Sequence, residues 1–324
     1  MSKIHAALVL CLGLAACGGG GGAGSAPIIT SDNYLSVAQE ALASTRYLIT
    51  SGSFASPTGA AAPQLAAQRQ GVWAALPQLA SGWGTARRQL ASSSQTQTVA
   101  CPEGGSMTVS AVDANGNGVL DSGDSLGMLM AQCQSAGVSV TGALAVAINS
   151  LSGDISAGVY SMGASMTPTN LTTSSAASTT SGSGSIGIML TARGLNDESL
   201  SLTVPNFVTT SIYANVTHSV TLSNLSLAQT VTPAGTGWSS AVSVNGSFSS
   251  SAFNNHSLTL NSVHPFVQSS AQSYPASGQL VVSDATQRKV RITALSATQV
   301  QIEVDASASG VYALSLTKLW SELL

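Results

Sequence analysis

From residue 97 onward, apolar side chains recur at every second position. Ile186, Ile188 and Leu190 alternate with small residues, and Leu200, Leu202 and Val204 alternate with hydroxyls. Ile212, Ala214, Val216, Val220 and Leu222 continue the pattern as one stretch. Val290/Ile292/Ala294, Val300/Ile302/Val304 and Tyr312/Leu314/Leu316 follow. A period of two predicts antiparallel strands with one buried face and one wet face. Asn245-Gly246, Ser277-Gly278 and Ser309-Gly310 read as the turns between them. Residues 168–185, rich in Ser, Thr, Ala and Gly, read as a low-complexity loop or a frayed edge. Val138-Ser-Val-Thr-Gly142 is echoed by Val242-Ser-Val-Asn-Gly246, and Ser199-Leu-Ser-Leu-Thr203 by Ser257-Leu-Thr-Leu260. Two degraded copies of one meander would do this, and so would chance among short Ser/Val strings.

Before residue 97 the period is helical. Residues 33–50 carry apolar or small side chains at Tyr34, Ala38, Ala41, Leu42, Thr45 and Leu48, with Ser31 or Asp32 placed to cap the helix. Pro57-Thr58-Gly59 breaks the pattern. A second stretch, 63–79, offers Leu65, Val72, Trp73 and Leu76, interrupted by Gly71 and Pro77, and a polar linker runs over 92–96. The expected fold is therefore mainly β: a large curved antiparallel sheet, a half-barrel-like meander over 97–324. A small helical segment, 31–95, packs on it. Aromatics are 5% of the chain and do not pair at strand ends, which argues against a transmembrane barrel with its aromatic girdles.

The amino-terminal residues set the location. Met1-Ser2-Lys3 supplies a positive charge, and Ala6–Leu14 is a run without a polar side chain, too short for a permanent membrane span. Residues 1–16 are thus predicted to be a signal peptide. Leu14-Ala15-Ala16-Cys17 resembles the lipobox of bacterial lipoproteins. That resemblance implies thioether lipidation of Cys17, cleavage before it, and acylation of the new amino terminus with chains such as palmitate. Ala15 and Ala16 would also suit an ordinary, non-lipid cleavage site. Gly18–Gly22 and Ala23-Gly24-Ser25 make residues 17–30 a tether by composition. Two or more acyl chains bury enough methylenes for stable anchoring, at about 0.8 kcal/mol each. By the same resemblance, Gly18 in place of Asp favours the outer membrane. The protein is then expected on its inner leaflet facing the periplasm, with cell-surface exposure as the alternative.

Composition narrows the partners. Charged residues are only 7% of the 324 and the net charge is −3, so there is no basic face for nucleic acid and no acidic tail. Of four cysteines, Cys11 lies in the signal and Cys17 takes the lipid. Cys101 and Cys133 remain, and in an exported chain two remaining cysteines usually pair. Closing a loop of about 30 residues constrains the unfolded chain by about 3–4 kcal/mol. Neither Cys has a nearby His or CxxC partner that would suit zinc or a nucleophile.

One motif carries chemistry. Asp113, Asn115, Asn117, Asp121 and Asp124 stand at the side-chain ligand positions of a pattern that resembles the calcium loops of EF-hands and dockerins. Gly118 occupies the sharp-turn position and Leu120 the apolar anchor. A hard divalent cation wants six to eight oxygens, and this spacing wraps them around one point. The last position is Asp rather than Glu, and the flanks, Met107–Val112 and Leu126–Met130, read as strands rather than helices. The expectation is a disulfide-locked hairpin, 101–133, whose tip holds a structural Ca²⁺. Asn-Gly and Ser-Gly also make good hairpin turns without metal. Asp305-Ala-Ser-Ala-Ser-Gly310 looks like a faded relative and reads as a turn.

No H-E-x-x-H or P-loop pattern occurs. His218 reads as a satisfied core histidine, and Glu103, Asp154, Asp197, Glu198 and Glu303 are too scattered to assign an acid pair. The arrangement resembles a group of bacterial lipoproteins of unknown function. They share a lipobox, a glycine tether, a Cys-bracketed D-x-N-x-N-G-x-x-x-x-x-D segment and a β-rich C-terminal half. The resemblance implies location and architecture and carries no activity. The leading expectation is a non-enzymatic envelope lipoprotein, held to the membrane through its lipid. The alternative is a periplasmic carrier of a lipid or other apolar ligand in a groove between sheet and helices. An envelope protein is a further candidate partner.

Overall fold

The computed structural model describes residues 28–51, 95–118, 120–135, 137–154, 157–176, 178–194, 196–213 and 215–323. The signal peptide, Cys17, the glycine run and the 63–79 stretch lie outside the described residues.

The described chain is one fourteen-stranded antiparallel sheet in which every strand pairs with its sequence neighbours. The strands are β1 (Gln95–Ala100), β2 (Ser106–Val112), β3 (Ser125–Ser135), β4 (Val138–Asp154), β5 (Val159–Ser174), β6 (Ser178–Gly194) and β7 (Asp197–Tyr213). They continue as β8 (Val216–Ala234), β9 (Gly237–Ser250), β10 (Ser257–Ser269), β11 (Ser277–Ser283), β12 (Lys289–Ala294), β13 (Gln299–Asp305) and β14 (Leu314–Leu319). Because the order is a pure meander, connections after odd strands lie on one rim, here the upper, and those after even strands on the lower. Alternation works as expected: Leu200, Leu202 and Val204, then Val290 and Ile292, then Val300, Ile302 and Val304, all turn into one apolar cluster.

The expected curvature has a local cause. Long strands are interrupted by register shifts where one strand bulges toward a glycine of its neighbour. Asn170 and Asn224 take left-handed φ values of 50° and 48°, which Asn tolerates, and each is followed by a leucine that is 1% exposed. Facing them are Gly142 and Gly246, where a Cβ would run into the bulge backbone. Gly184 faces Asn206-Phe207 in the same way. The bulges step across the sheet and bend it. They also explain the echo in the sequence, since both Val-Ser-Val-x-Gly strings end on a glycine that meets an Asn-Leu bulge.

Three expectations about strands and turns need correcting. Residues 168–185 are not a loop; they complete β5 and begin β6, with Leu171, Thr173 and Thr180 buried. Residues 212–222 are not one strand. The chain turns at Asn215 (φ 64°), and Tyr213 pairs with Val216. Asn245-Gly246 is no turn but the bulge contact inside β9, and Ser277-Gly278 opens β11; Ser309-Gly310 does fall between β13 and β14.

Helix α1 (Tyr34–Ser51) packs on β8, β9 and β11–β13 through Val37, Ala38, Ala41 and Leu42. Its cap is neither Ser31 nor Asp32. The Thr30 hydroxyl accepts the Asn33 amide while the Asn33 side chain accepts the Thr30 amide, which closes the turn before the helix, and the Asn33 carbonyl accepts the first helical bond, from Val37 N. At the lower rim the short α2 (Trp320–Leu323) buries Trp320, which stacks on Tyr274 and meets Phe266 edge-on. Its indole donates to the Ser296 carbonyl.

Candidate functional site

The β2–β3 connection is the loop with the calcium-type spacing. Below it, β2 and β3 pair in register from Val112↔Ser125 to Ser106↔Ala131. At the far end of the hairpin Cys101 and Cys133 form a disulfide, with Cα atoms 5.3 Å apart. The β1–β2 turn closes onto β3 there, since Glu103 N donates to the Gln134 carbonyl and Gln134 N to that of Gly104. The hairpin is thus locked at one end and carries the loop at the other, as the spacing implies.

Asp113 organises the first half of the loop. Its Oδ2 accepts from Gly118 N at 2.6 Å, and its Oδ1 from Gly116 N at 2.6 Å and Asn117 N at 3.3 Å. The Gly118 amide is the main cause that holds the Asp113 carboxyl below the ordinary aspartate range. Asp121 is the meeting point. Its Oδ2 accepts from Asn115 Nδ2 at 2.7 Å and from Asn117 Nδ2 at 2.6 Å. Its Oδ1 is buried and has no hydrogen-bond partner. Asp124 sits apart at the neck of the loop. It is 0% exposed, and its two oxygens accept the amides of Ala114 (2.9 Å) and Asp121 (2.8 Å). Leu120 is buried as the anchor. Ser122 Oγ donates to the Asn149 carbonyl and Gly123 N to that of Ile148, which docks the loop on β4.

Asp113, Asn115, Asn117 and Asp121 are therefore gathered on one turn, and Asp124 braces it from below. Among the described residues no group of three or more His, Cys, Asp or Glu gathers as a metal cluster. An oxygen set here draws on the two asparagines. Turning an asparagine amide about its last bond exchanges its NH₂ for a carbonyl oxygen; for Asn115 this gives up the bond its Oδ1 accepts from Asn117 N at 3.0 Å.

The Asp305 turn repeats the first half of this arrangement without the second. Asp305 Oδ2 accepts from Gly310 N at 2.6 Å, and Oδ1 from Ser307 N and Ser309 N. Burial pushes this carboxyl up, and the amides of Gly310 and Ser309 with the Ser307 hydroxyl overcome that, leaving it below the usual range. Asp284, between β11 and β12, is a third such residue, and its role was not legible in the sequence. Oδ1 takes the amides of Thr286 and Arg288 and the Thr286 hydroxyl, while Oδ2 accepts the amides of Ile28 and Ile29.

His218 is not a core residue. It stands at the upper rim with its side chain 40% exposed, and Nε2 lies 3.1 Å from Glu40 Oε1 on α1 and 3.0 Å from Ser250 Oγ. Ser250 also donates to Glu40 at 3.0 Å. A serine, a histidine and a carboxylate thus meet, with Ser250 fully buried. A relay needs an accessible hydroxyl, and this triangle ties α1 to β8 and β9. The other acids stay apart. Arg193 holds Asp197 at 3.1 Å, Arg291 holds Glu303 at 2.7 Å, and Glu103 accepts Gly137 N. Burial pushes the Glu198 carboxyl up.

No known protein family, curated protein or solved structure matches the chain. Among the described residues no helix is long and apolar enough to cross a membrane.

Proposed function

We propose that the protein is a non-enzymatic bacterial envelope lipoprotein, held through acylated Cys17, whose β2–β3 loop binds a structural Ca²⁺. The observation that carries the cation reading is Asp121. A buried carboxylate oxygen without a donor is costly unless something else satisfies it, and Asn115 and Asn117 already reach the other oxygen of the same carboxylate. Asp113, Asn115, Asn117 and Asp121 would hold the ion. Asp124 would add a lone pair not taken by its two amides, since a carboxylate has about four acceptor sites. Calcium suits this set better than magnesium, because it accepts many flexible oxygens at irregular angles. The ion would supply positive charge to a loop of like charges and rigidify the hairpin.

Calcium binding stabilises only the native state, so after chelator treatment millimolar Ca²⁺ should raise the melting temperature. Asp113→Ala should remove most of that rise while the disulfide still holds the hairpin. A wild-type Tm that ignores calcium overturns the cation reading. The anchor is tested separately: Cys17→Ser should move the protein to the soluble periplasmic fraction, and retention on carbonate-washed membranes overturns it.

A further inference from the structure

We infer that the upper rim of the sheet rests on the lipid surface, with the β7–β8 hairpin tip inserted at the headgroup boundary; this rests on the lipid-anchor reading above. The chain before Ile28 leaves the structure at this rim, because Ile28 and Ile29 are clamped by Asp284 in the β11–β12 turn. If Cys17 is lipidated, only residues 17–27 separate the bilayer from that clamp. Such a length spans at most about 40 Å. The same rim carries an apolar tip that nothing in the described chain covers. Val216 is 68% exposed, Tyr213 57% and Ile212 46%.

Tyr213 and Val216 pair across the tip, so they share one face, while Ile212 pairs with Thr217 and points to the other. The tip is therefore apolar on both sides, which suits immersion rather than docking one face on a partner. Tyr fits a boundary, with an apolar ring and a polar end. Val311, 65% exposed on the β13–β14 connection, adds a second apolar point on this rim.

The lower rim carries more of the carboxylates. Of those on the upper rim, Glu40 is turned onto His218, Asp284 and Asp305 are buried on backbone amides, and Glu103 in the β1–β2 turn is exposed and accepts Gly137 N. Asp113, Asp121, Asp154, Asp197, Glu198 and Glu322 all belong to the lower rim, away from an anionic bilayer. The calcium-type loop then faces the aqueous side.

The test uses the full lipidated protein in vesicles of phosphatidylethanolamine and phosphatidylglycerol. Tyr213→Cys, Val216→Cys and Asp154→Cys variants each carry an environment-sensitive thiol label. These positions are exposed, so the fold tolerates the change. Lipids brominated on the upper acyl carbons should quench the labels at 213 and 216 strongly and blue-shift them, and leave the label at 154 unchanged. Vesicle-bound protein whose labels at 213 and 216 are quenched no more than at 154 overturns the proposal, whether the tip meets water or another chain. Protein that does not float with the vesicles overturns the anchor reading, and this inference with it.

Discussion

Asp284 accepts the backbone amide of Ile29 at 3.1 Å across 255 residues of sequence, and that of Ile28 beside it. Arg288 Nη1 returns a hydrogen bond to the Ile29 carbonyl. This clamp precedes α1 and sets where the helix lies on the sheet. Asp284→Ala leaves several buried amides without an acceptor, so it should destabilise the fold by about 2–4 kcal/mol. Urea melts should show the loss, and hydrogen exchange should quicken first over 28–42. Unchanged exchange there would show that α1 is held by its apolar face alone.

The acid limit of stability should follow Asp113, Asp284 and Asp305, all held below the usual carboxylate range. For Asp284, burial pushes up, while the Thr286 hydroxyl and the amides of Ile29, Arg288 and Ile28 pull further down. A folded pKa below the unfolded value of about 3.9 gives stability that is complete above that pH and lost below it. Glu198, raised by burial, works in the opposite sense at mildly acidic pH. Tm should therefore change little from pH 7 to 5 and fall steeply below about 4. Asp305→Asn should flatten part of that fall, and a Tm still level at pH 2.5 would contradict it.

Gly246 should not tolerate a methyl group. At φ 136° it lies against the Asn224–Leu225 backbone, so Gly246→Ala must move the bulge or strain the strand. The cost should be about 2–3 kcal/mol in chemical denaturation. Gly158, at φ 70° with open space around it, provides the contrast. Gly158→Asn should stay within about 0.5 kcal/mol, because Asn accepts that conformation. Equal effects at both sites would mean the bulge row does not shape the sheet.

Reduction of Cys101–Cys133, 32 residues apart, should lower stability by about 3–4 kcal/mol through the freed loop entropy. Non-reducing peptide mapping of exported protein should recover the linked pair, and Cys133→Ser should mimic reduction. A reductant-insensitive denaturation midpoint would show that the β2–β3 register alone secures the hairpin.

Local chemistry alone determined a good deal of this protein. A period of two specifies strands whatever their order, a helical period specifies α1, and the spacing of Cys101 and Cys133 about one hairpin suits the disulfide. The side chains at 113–121 meet on one turn because of their spacing, Asp113 on the amides of 116–118 and Asp121 on the two asparagines. What the sequence left undecided depends on pairs distant along the chain. A two-residue hairpin swaps the faces of the strands it joins: Ile212 pairs with Thr217 and Tyr213 with Val216. The apolar run therefore passes through the turn as if it were one strand, and Asn215 alone marks the break. Residues 168–185 have a composition that fits a loop, yet partners on both sides make them strands. His218 gains Glu40 and Ser250 only when α1 reaches the rim. Asp124 braces the loop neck only when that neck closes, because each contact needs two segments to meet first.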